Sequence, residues 1–131
     1  MADDAAFLSP EWLDLQREVF AELPQHGGES ARVQYTVTGA PEGEAAYWVV
    51  YEDGRLTDAG IGDHPGAAVT IAAPYALAAE VATGQVEAGV AFMQGRTKVT
   101  GDQRELLRVL ALMATPGHRA ALRRLADRTR L

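Results

Sequence analysis

The chain has 131 residues, no cysteine and a formal net charge of −6. That length holds one hydrophobic core without staples, and the absence of thiols excludes a disulfide framework, a cysteine nucleophile and a sulfur-ligated metal. Residues 1–95 set 15 acids against Arg17, Arg32 and Arg55, an acidic body that argues against nucleic-acid binding, which needs a basic surface to displace counterions.

The opening MADDAAFLSP is acidic and has no apolar core, so no secretory signal is expected. No stretch approaches the length of a membrane span, and a cytoplasmic protein is expected. Ser9-Pro10-Glu11 reads as a helix start: a hydroxyl cap, a proline in the first turn, then an acid at the positive end of the dipole. Trp12, Leu15, Val19 and Leu23 follow at helical spacing, and Pro24 ends the helix. ARVQYTVTG alternates Val33, Tyr35 and Val37 with Arg32, Gln34 and Thr36, the mark of a strand with one wet face. In AAYWVVYE, Tyr47, Val49 and Tyr51 point one way and Ala46, Trp48 and Val50 the other, so both faces of that strand look covered. Asp53-Gly54 predicts a hairpin turn with RLTDAGI returning antiparallel, and AAVTIA predicts a fourth short strand. PYALAAEVATG opens on Pro74 and closes on Gly84 as a helix does, with Pro74, Leu77, Ala78 and Val81 sharing one side. VEAGVAFMQG predicts a short helical turn, and RTKVT a strand with Thr97 and Val99 opposed to Arg96 and Lys98. Asp102 with Glu105 resembles a capping box for a helix through Met113. Thr115-Pro116 starts a last helix with His118, Ala121, Leu122 and Leu125 on a narrow stripe. The order predicts a mixed α and β fold with helices gathered on one face of a sheet.

Little in this pattern assembles catalysis. The stretch between Gly95 and Gly101 is not a phosphate loop, because Lys98 alternates with Thr97 and Val99 as a strand residue should and does not open a helix. GIGDHPG lacks the strand–glycine–helix context and reads as a turn. His26, His64 and His118 lie in different segments without i, i+4 partners, so no metal or other cofactor is expected. Asp63-His64 could be a catalytic pair, although a loop Asp-His is more often a solvated turn. What the sequence has in excess is apolar surface: in residues 106–113 large apolar groups cover an arc of roughly 220°, where one face packed on a sheet needs about 100°. The surplus meets the last helix, a partner chain or a ligand. A protein-interaction or oligomerisation module is therefore an alternative to a ligand carrier. Residues 96–131 carry nine basic residues against three acids, and this Arg-rich end either touches an anionic membrane surface or lies over the acidic body.

AFMQGRTKVTGD, preceded by AAVTIAAPYALAAEVATGQVEAGV, resembles the sterol carrier protein type-two family. Members typically show a strand with an alternating V-T-I core, a helix ending in T-G, a short helix, and then A-F-[FM]-x-G-[KR]-x-[KR]-[VI]-x-G-[DN]. Val69-Thr70-Ile71, Thr83-Gly84 and Ala91 through Asp102 fit those positions. The similarity spans roughly residues 10–113 of what reads as a single domain over 1–131, and is strongest over 67–113. It implies an α+β fold, a five-stranded, mainly antiparallel sheet with helices on one face enclosing an apolar tunnel. It further implies non-covalent binding of a long-chain lipid (fatty acid, fatty acyl-CoA, sterol or phospholipid); a monomer or weak dimer without enzymatic activity is expected, with a small lipid-modifying enzyme using Asp63-His64 as the lesser alternative. The residues expected to contact that ligand are Trp48, Leu77, Phe92, Met93, Leu106 and Leu110, with Gln94 matching a family position that places a polar group near the cavity. The chain ends in Arg-Thr-Arg-Leu where eukaryotic relatives carry Ser-Lys-Leu, which fits a bacterial-type cytoplasmic protein. The extra helix over residues 116–131 is expected to cover the tunnel mouth, more as a lid than as core.

Overall fold

Ser9 caps the first helix as its sequence position predicts, its hydroxyl accepting from the Trp12 amide at 3.1 Å. The structure, a computed structural model, describes residues 4–21 and 30–131, so Leu23, Pro24 and His26 lie outside the described residues. In chain order the elements are β1 (Ala5–Ala6), α1 (Pro10–Phe20), β2 (Ala31–Ala40), β3 (Gly43–Glu52), β4 (Arg55–Ile61), β5 (Val69–Pro74), α2 (Tyr75–Ala82), α3 (Ala88–Met93), β6 (Lys98–Gly101), α4 (Gln103–Met113), α5 (Pro116–Asp127) and β7 (Thr129–Arg130).

Five strands form one sheet in the order β4-β3-β2-β5-β6. Every pairing in it is antiparallel except β2 with β5. The β3–β4 hairpin grows from one edge of β2 and leaves the other edge free for β5. Asp53 and Gly54 make the hairpin turn with φ of 52° and 80°, the left-handed pair that a two-residue connection between twisted strands requires. The register brings Val33 opposite Val49 and Val69, and Tyr35 opposite Tyr47 and Ile71. The period-two alternation thereby becomes one continuous apolar face, and the helices cover it.

Trp48 stands on the other face. It faces Gly60 across the β3–β4 ladder, and its indole lies so close that a Cβ on Gly60 would come within 2.5 Å of the ring. His64 meets the same indole edge-on at 4.7 Å. Beneath them Gln34 donates to the Tyr47 and Gly62 carbonyls at 3.2 and 2.9 Å and accepts from the His64 amide at 2.9 Å. That outer layer pins the loop between β4 and β5.

The capping box at α4 forms only in half. Asp102 accepts from the Arg104 amide at 2.8 Å, but its own N–H donates to the Ala68 carbonyl at 2.9 Å. Glu105 has no orphan donor to satisfy there and pairs with Arg108 at 3.2 Å. The apolar surplus of α4 is divided three ways. Leu106, Val109 and Leu112 are buried, Leu110 and Met113 are half-buried, and Leu107 is 63% exposed.

The last helix corrects the expectation of a lid. Thr115 caps α5, accepting from the His118 amide at 3.3 Å, and His118, Ala121 and Leu125 are 4%, 0% and 0% exposed. The helix packs against α1, and the chain then runs into β7, which pairs in parallel with β1. Amide donors of Ala5 and Phe7 reach the Arg128 and Arg130 carbonyls, each at 2.8 Å, and Trp12 Nε1 donates to Thr129 Oγ1 at 3.2 Å. Three arginines of this end lean on the protein: Arg119 on Glu87 at 3.1 Å, Arg128 on Glu18 at 3.9 Å, and Arg124 on the Val19 carbonyl at 3.5 Å. Among the described residues no helix is long and apolar enough to cross a membrane.

Candidate functional site: an apolar cavity between sheet and helices

The sheet and the helical layer do not close on each other completely. Between them lies a cavity of about 310 Å³, at the small end of ligand-sized pockets. Tyr35, Val37, Tyr47, Val49, Tyr51, Ile71 and Val99 form its floor, because the alternation of each strand turns those residues to the helix side. Every helix contributes to the roof: Trp12 and Phe20 from α1, Ala78 and Val81 from α2, Phe92 from α3, Leu110 and Met113 from α4, Leu122 and Leu125 from α5. A more open depression of about 610 Å³ lies by the β2–β3 turn, where Ser9, Glu42, Glu44 and Arg130 are among its walls. Of the two, the first is the space between the layers.

The polar groups of the cavity are few, and the charged ones, Glu87, Arg119 and Arg123, are exposed. Tyr35 and Tyr47 stack with ring centroids 4.8 Å apart, and Trp12 meets Tyr47 edge-on at 5.4 Å. Burial raises the pKa of Tyr35, Tyr47 and Tyr51, and the neighbouring tyrosines raise those of Tyr35 and Tyr47 further. All three hydroxyls therefore stay protonated at neutral pH. His118 stacks on Phe20 at 4.6 Å, and burial lowers its pKa to about 4, so the imidazole is neutral as well. Gln16 Oε1, Thr97 Oγ1 and both His118 ring nitrogens are buried without a hydrogen-bond partner. All three residues line the cavity. At the rim, the exposed Arg119 of α5 pairs with Glu87, the N-cap residue of α3, at 3.1 Å.

Of the residues singled out in the sequence, Phe92, Leu106 and Leu110 come together at the cavity wall. The other four do not line it. Trp48 is on the outer face of the sheet, as described. Leu77 is 3% exposed but packs elsewhere, while Ala78, Val81 and Ala82 from the same helix reach the space. Met93 is 85% exposed and Gln94 is exposed, because α3 ends there and the chain turns outward through Gly95. Gln16, His118 and the tyrosine floor went unnoticed in the sequence as parts of a site. The signal for Gln16 was its place midway between Trp12 and Phe20, one turn from each on the apolar stripe of α1. Alternation places the tyrosines on one face of the strands but does not say that this face meets the helices.

The reading of Asp63-His64 as a reactive pair meets a plain obstacle. His64 Nδ1 accepts from the Gly66 amide at 2.9 Å, and the ring sits with Trp48 on the sheet face away from the cavity. Among the described residues no group of three or more His, Asp or Glu side chains is placed to hold a metal ion.

Solved structures share this fold at low sequence identity. Sterol carrier protein 2 in a crystal structure superimposes with a TM-score of 0.67 at 18% identity, over 92% of this chain and 95% of that one. A conserved hypothetical protein from Thermus thermophilus, described as possibly a sterol carrier protein, gives 0.65 at 17% identity, over 92% and 90%. Palmitated SCP2L2 from Aedes aegypti gives 0.64 at 16% identity, over 84% and 98%. None of the curated proteins compared is similar enough in sequence to count as a relative. Residues 21–114 match the SCP-2 sterol transfer family, a span that takes in the whole five-stranded sheet with α2, α3 and α4, and the chain belongs to that family.

Proposed function

We propose that this protein is a non-enzymatic carrier that holds one long-chain lipid non-covalently in the cavity between sheet and helices. The observation that carries the reading is the cavity itself, a partly open space of about 310 Å³ with mostly apolar walls. Membership in a sterol transfer family supports it, as does the likeness in fold to a protein solved in a palmitated form. Each buried methylene contributes about 0.8 kcal/mol, so a chain of about a dozen carbons binds usefully even against the entropy of its immobilisation. In this reading Phe92, Leu106 and Leu110 contact the lipid, together with Tyr35, Tyr47, Ile71 and Leu122. Trp48, Leu77, Met93 and Gln94 stand away from it.

The same geometry offers little to catalysis. The ionisable groups facing the cavity's interior are tyrosines held protonated and a histidine held neutral, and no acid orients that histidine. A nucleophile activated by a base has no counterpart in this wall. The interaction-module reading loses its main support, since most of the apolar surplus of α4 is buried within the chain and Leu107 is its one large exposed residue.

Freshly purified protein examined by native mass spectrometry should carry a lipid-sized adduct. Delipidated protein should bind a fluorescent fatty acid with saturation at one per chain. If no long-chain lipid displaces that probe, the carrier reading fails. Size-exclusion chromatography with light scattering should find a monomer or a weak dimer that binds lipid without a change of assembly.

A further inference from the structure

We propose that Gln16 and His118 form a polar subsite in the cavity wall that recognises one neutral hydroxyl group, so that the preferred ligand is a long-chain alcohol and not an acid. The inference rests on the carrier reading and narrows it to a chemical class. Gln16 is 9% exposed and His118 4%. Both line the cavity, and Gln16 Oε1 and the two imidazole nitrogens have no hydrogen-bond partner. Buried polar groups are ordinarily satisfied, because leaving one unpaired forfeits its whole hydration. Three such atoms in one wall mark a place that something else completes.

Their positions allow one group to pair with two of them, Gln16 Oε1 and the imidazole N–H. Gln16 lies one helical turn from Phe20 on α1, where side chains four apart are neighbours, and the His118 ring stacks on Phe20 at 4.6 Å and 22°. Gln16 and His118 are therefore both neighbours of Phe20 in the roof.

The chemistry selects the ligand group. Burial keeps His118 neutral at pH 7, and a neutral imidazole offers one N–H donor and one lone pair. An alcohol oxygen accepts from that N–H and donates its own proton to Gln16 Oε1, a match of one donor and one acceptor on each side. A carboxylate has no proton to give Gln16, and its charge would be buried beside a neutral ring. The cations that line the cavity, Arg119 and Arg123, are exposed residues of α5, and Arg119 is already paired with Glu87. A site built around a hydroxyl discriminates strongly against the analogue that lacks its hydrogen, because the buried protein groups are then left unpaired.

The test is competition of dodecan-1-ol, dodecyl methyl ether and dodecanoic acid against 1-anilinonaphthalene-8-sulfonate on delipidated protein at pH 7.5. The alcohol should bind at least about tenfold tighter than its methyl ether, which keeps the chain and the acceptor but loses the donor. In Gln16→Leu that ratio should fall below about threefold with the affinity for the ether little changed, whereas His118→Phe should weaken alcohol and ether alike and leave the ratio standing. An alcohol-to-ether ratio near one in the unsubstituted protein overturns the subsite without recourse to any variant, and so does tightest binding of the acid. If the ether and acid bind well but without this preference, the carrier reading stands and the subsite falls. If none of the three competes, the carrier reading falls and the subsite with it.

Discussion

Trp12 and Trp48 are the only tryptophans, and the sheet separates them. Trp12 lines the cavity and touches Tyr47, while Trp48 packs on Gly60 and His64 outside it. Lipid titration should therefore change the emission of Trp48→Phe, which keeps Trp12, and leave that of Trp12→Phe nearly constant. The opposite pattern would move the ligand to the outer face. His118 makes a second prediction at this scale. Its pKa is about 4 in the fold against an ordinary 6.5, so between those values the unfolded chain binds a proton that the folded chain does not. Its contribution is undiminished above pH 6.5 and is progressively lost as the pH falls toward 4, by about 2 kcal/mol at pH 5. Urea midpoints at pH 7.5 and 5.0 should differ less in His118→Leu than in the unsubstituted protein. An equal difference in both would show that the histidine is accessible to protons in the fold.

At the scale of elements, α5 is at once core and cavity wall. Leu125 is fully buried, and Leu125→Ala should cost about 2–5 kcal/mol. Deleting residues 116–131 removes that contact, the His118–Phe20 stack and the Thr129 partner of Trp12 together. The truncated chain should lose its cooperative thermal transition, and a truncation that melted like the full chain would restore the helix to the status of a lid. The Arg119–Glu87 pair joins α5 to the start of α3 at the rim. Both side chains are about half exposed, and such pairs contribute at most about 1 kcal/mol. Glu87→Gln should leave the melting temperature nearly unchanged while lipid dissociation, followed by stopped flow, speeds up a few-fold.

For the whole molecule the question is whether the interior is filled or hollow, and two adjacent residues answer it. Val109 is 0% exposed and belongs to the packed core, whereas Leu110 is half-buried at the cavity. Val109→Trp should destabilise the delipidated protein by about 1–3 kcal/mol, as overpacking does. Leu110→Trp should leave stability near its original value and weaken lipid binding, since the indole takes the ligand's place. Both measurements need delipidated protein, because bound lipid stabilises the fold by mass action. Equal destabilisation would mean a filled interior.

Much of this architecture was legible in the residues. The alternation of Val33, Tyr35 and Val37, the Asp53-Gly54 turn and the Thr115-Pro116 helix start each depend on local chemistry, and each element lies where that chemistry puts it. The placement of Trp48 was not legible, because a strand apolar on both sides gives no sign of which side meets the helices, and Gly60, the residue it leans on, is remote in sequence. Gln16 was invisible for a different reason: periodicity counts apolar positions, and a glutamine on the stripe reads as a gap. Helical spacing located Leu77 on the buried side of α2, but only three-dimensional packing decides which residues of that side reach a space between layers.

The parallel pairing of β1 with β7 ties residues at opposite extremes of the sequence to the same two hydrogen bonds. Loss of Ala5 to Phe7 and loss of Arg128 to Arg130 are, in this fold, nearly one lesion. Removal of either segment would release the same clasp and bare the same side of Trp12 beside the cavity. Hydrogen exchange should show it directly: the amides of Ala5 and Phe7 should lose their protection together with those of the last turn of α5, as a single opening event shared by the two ends.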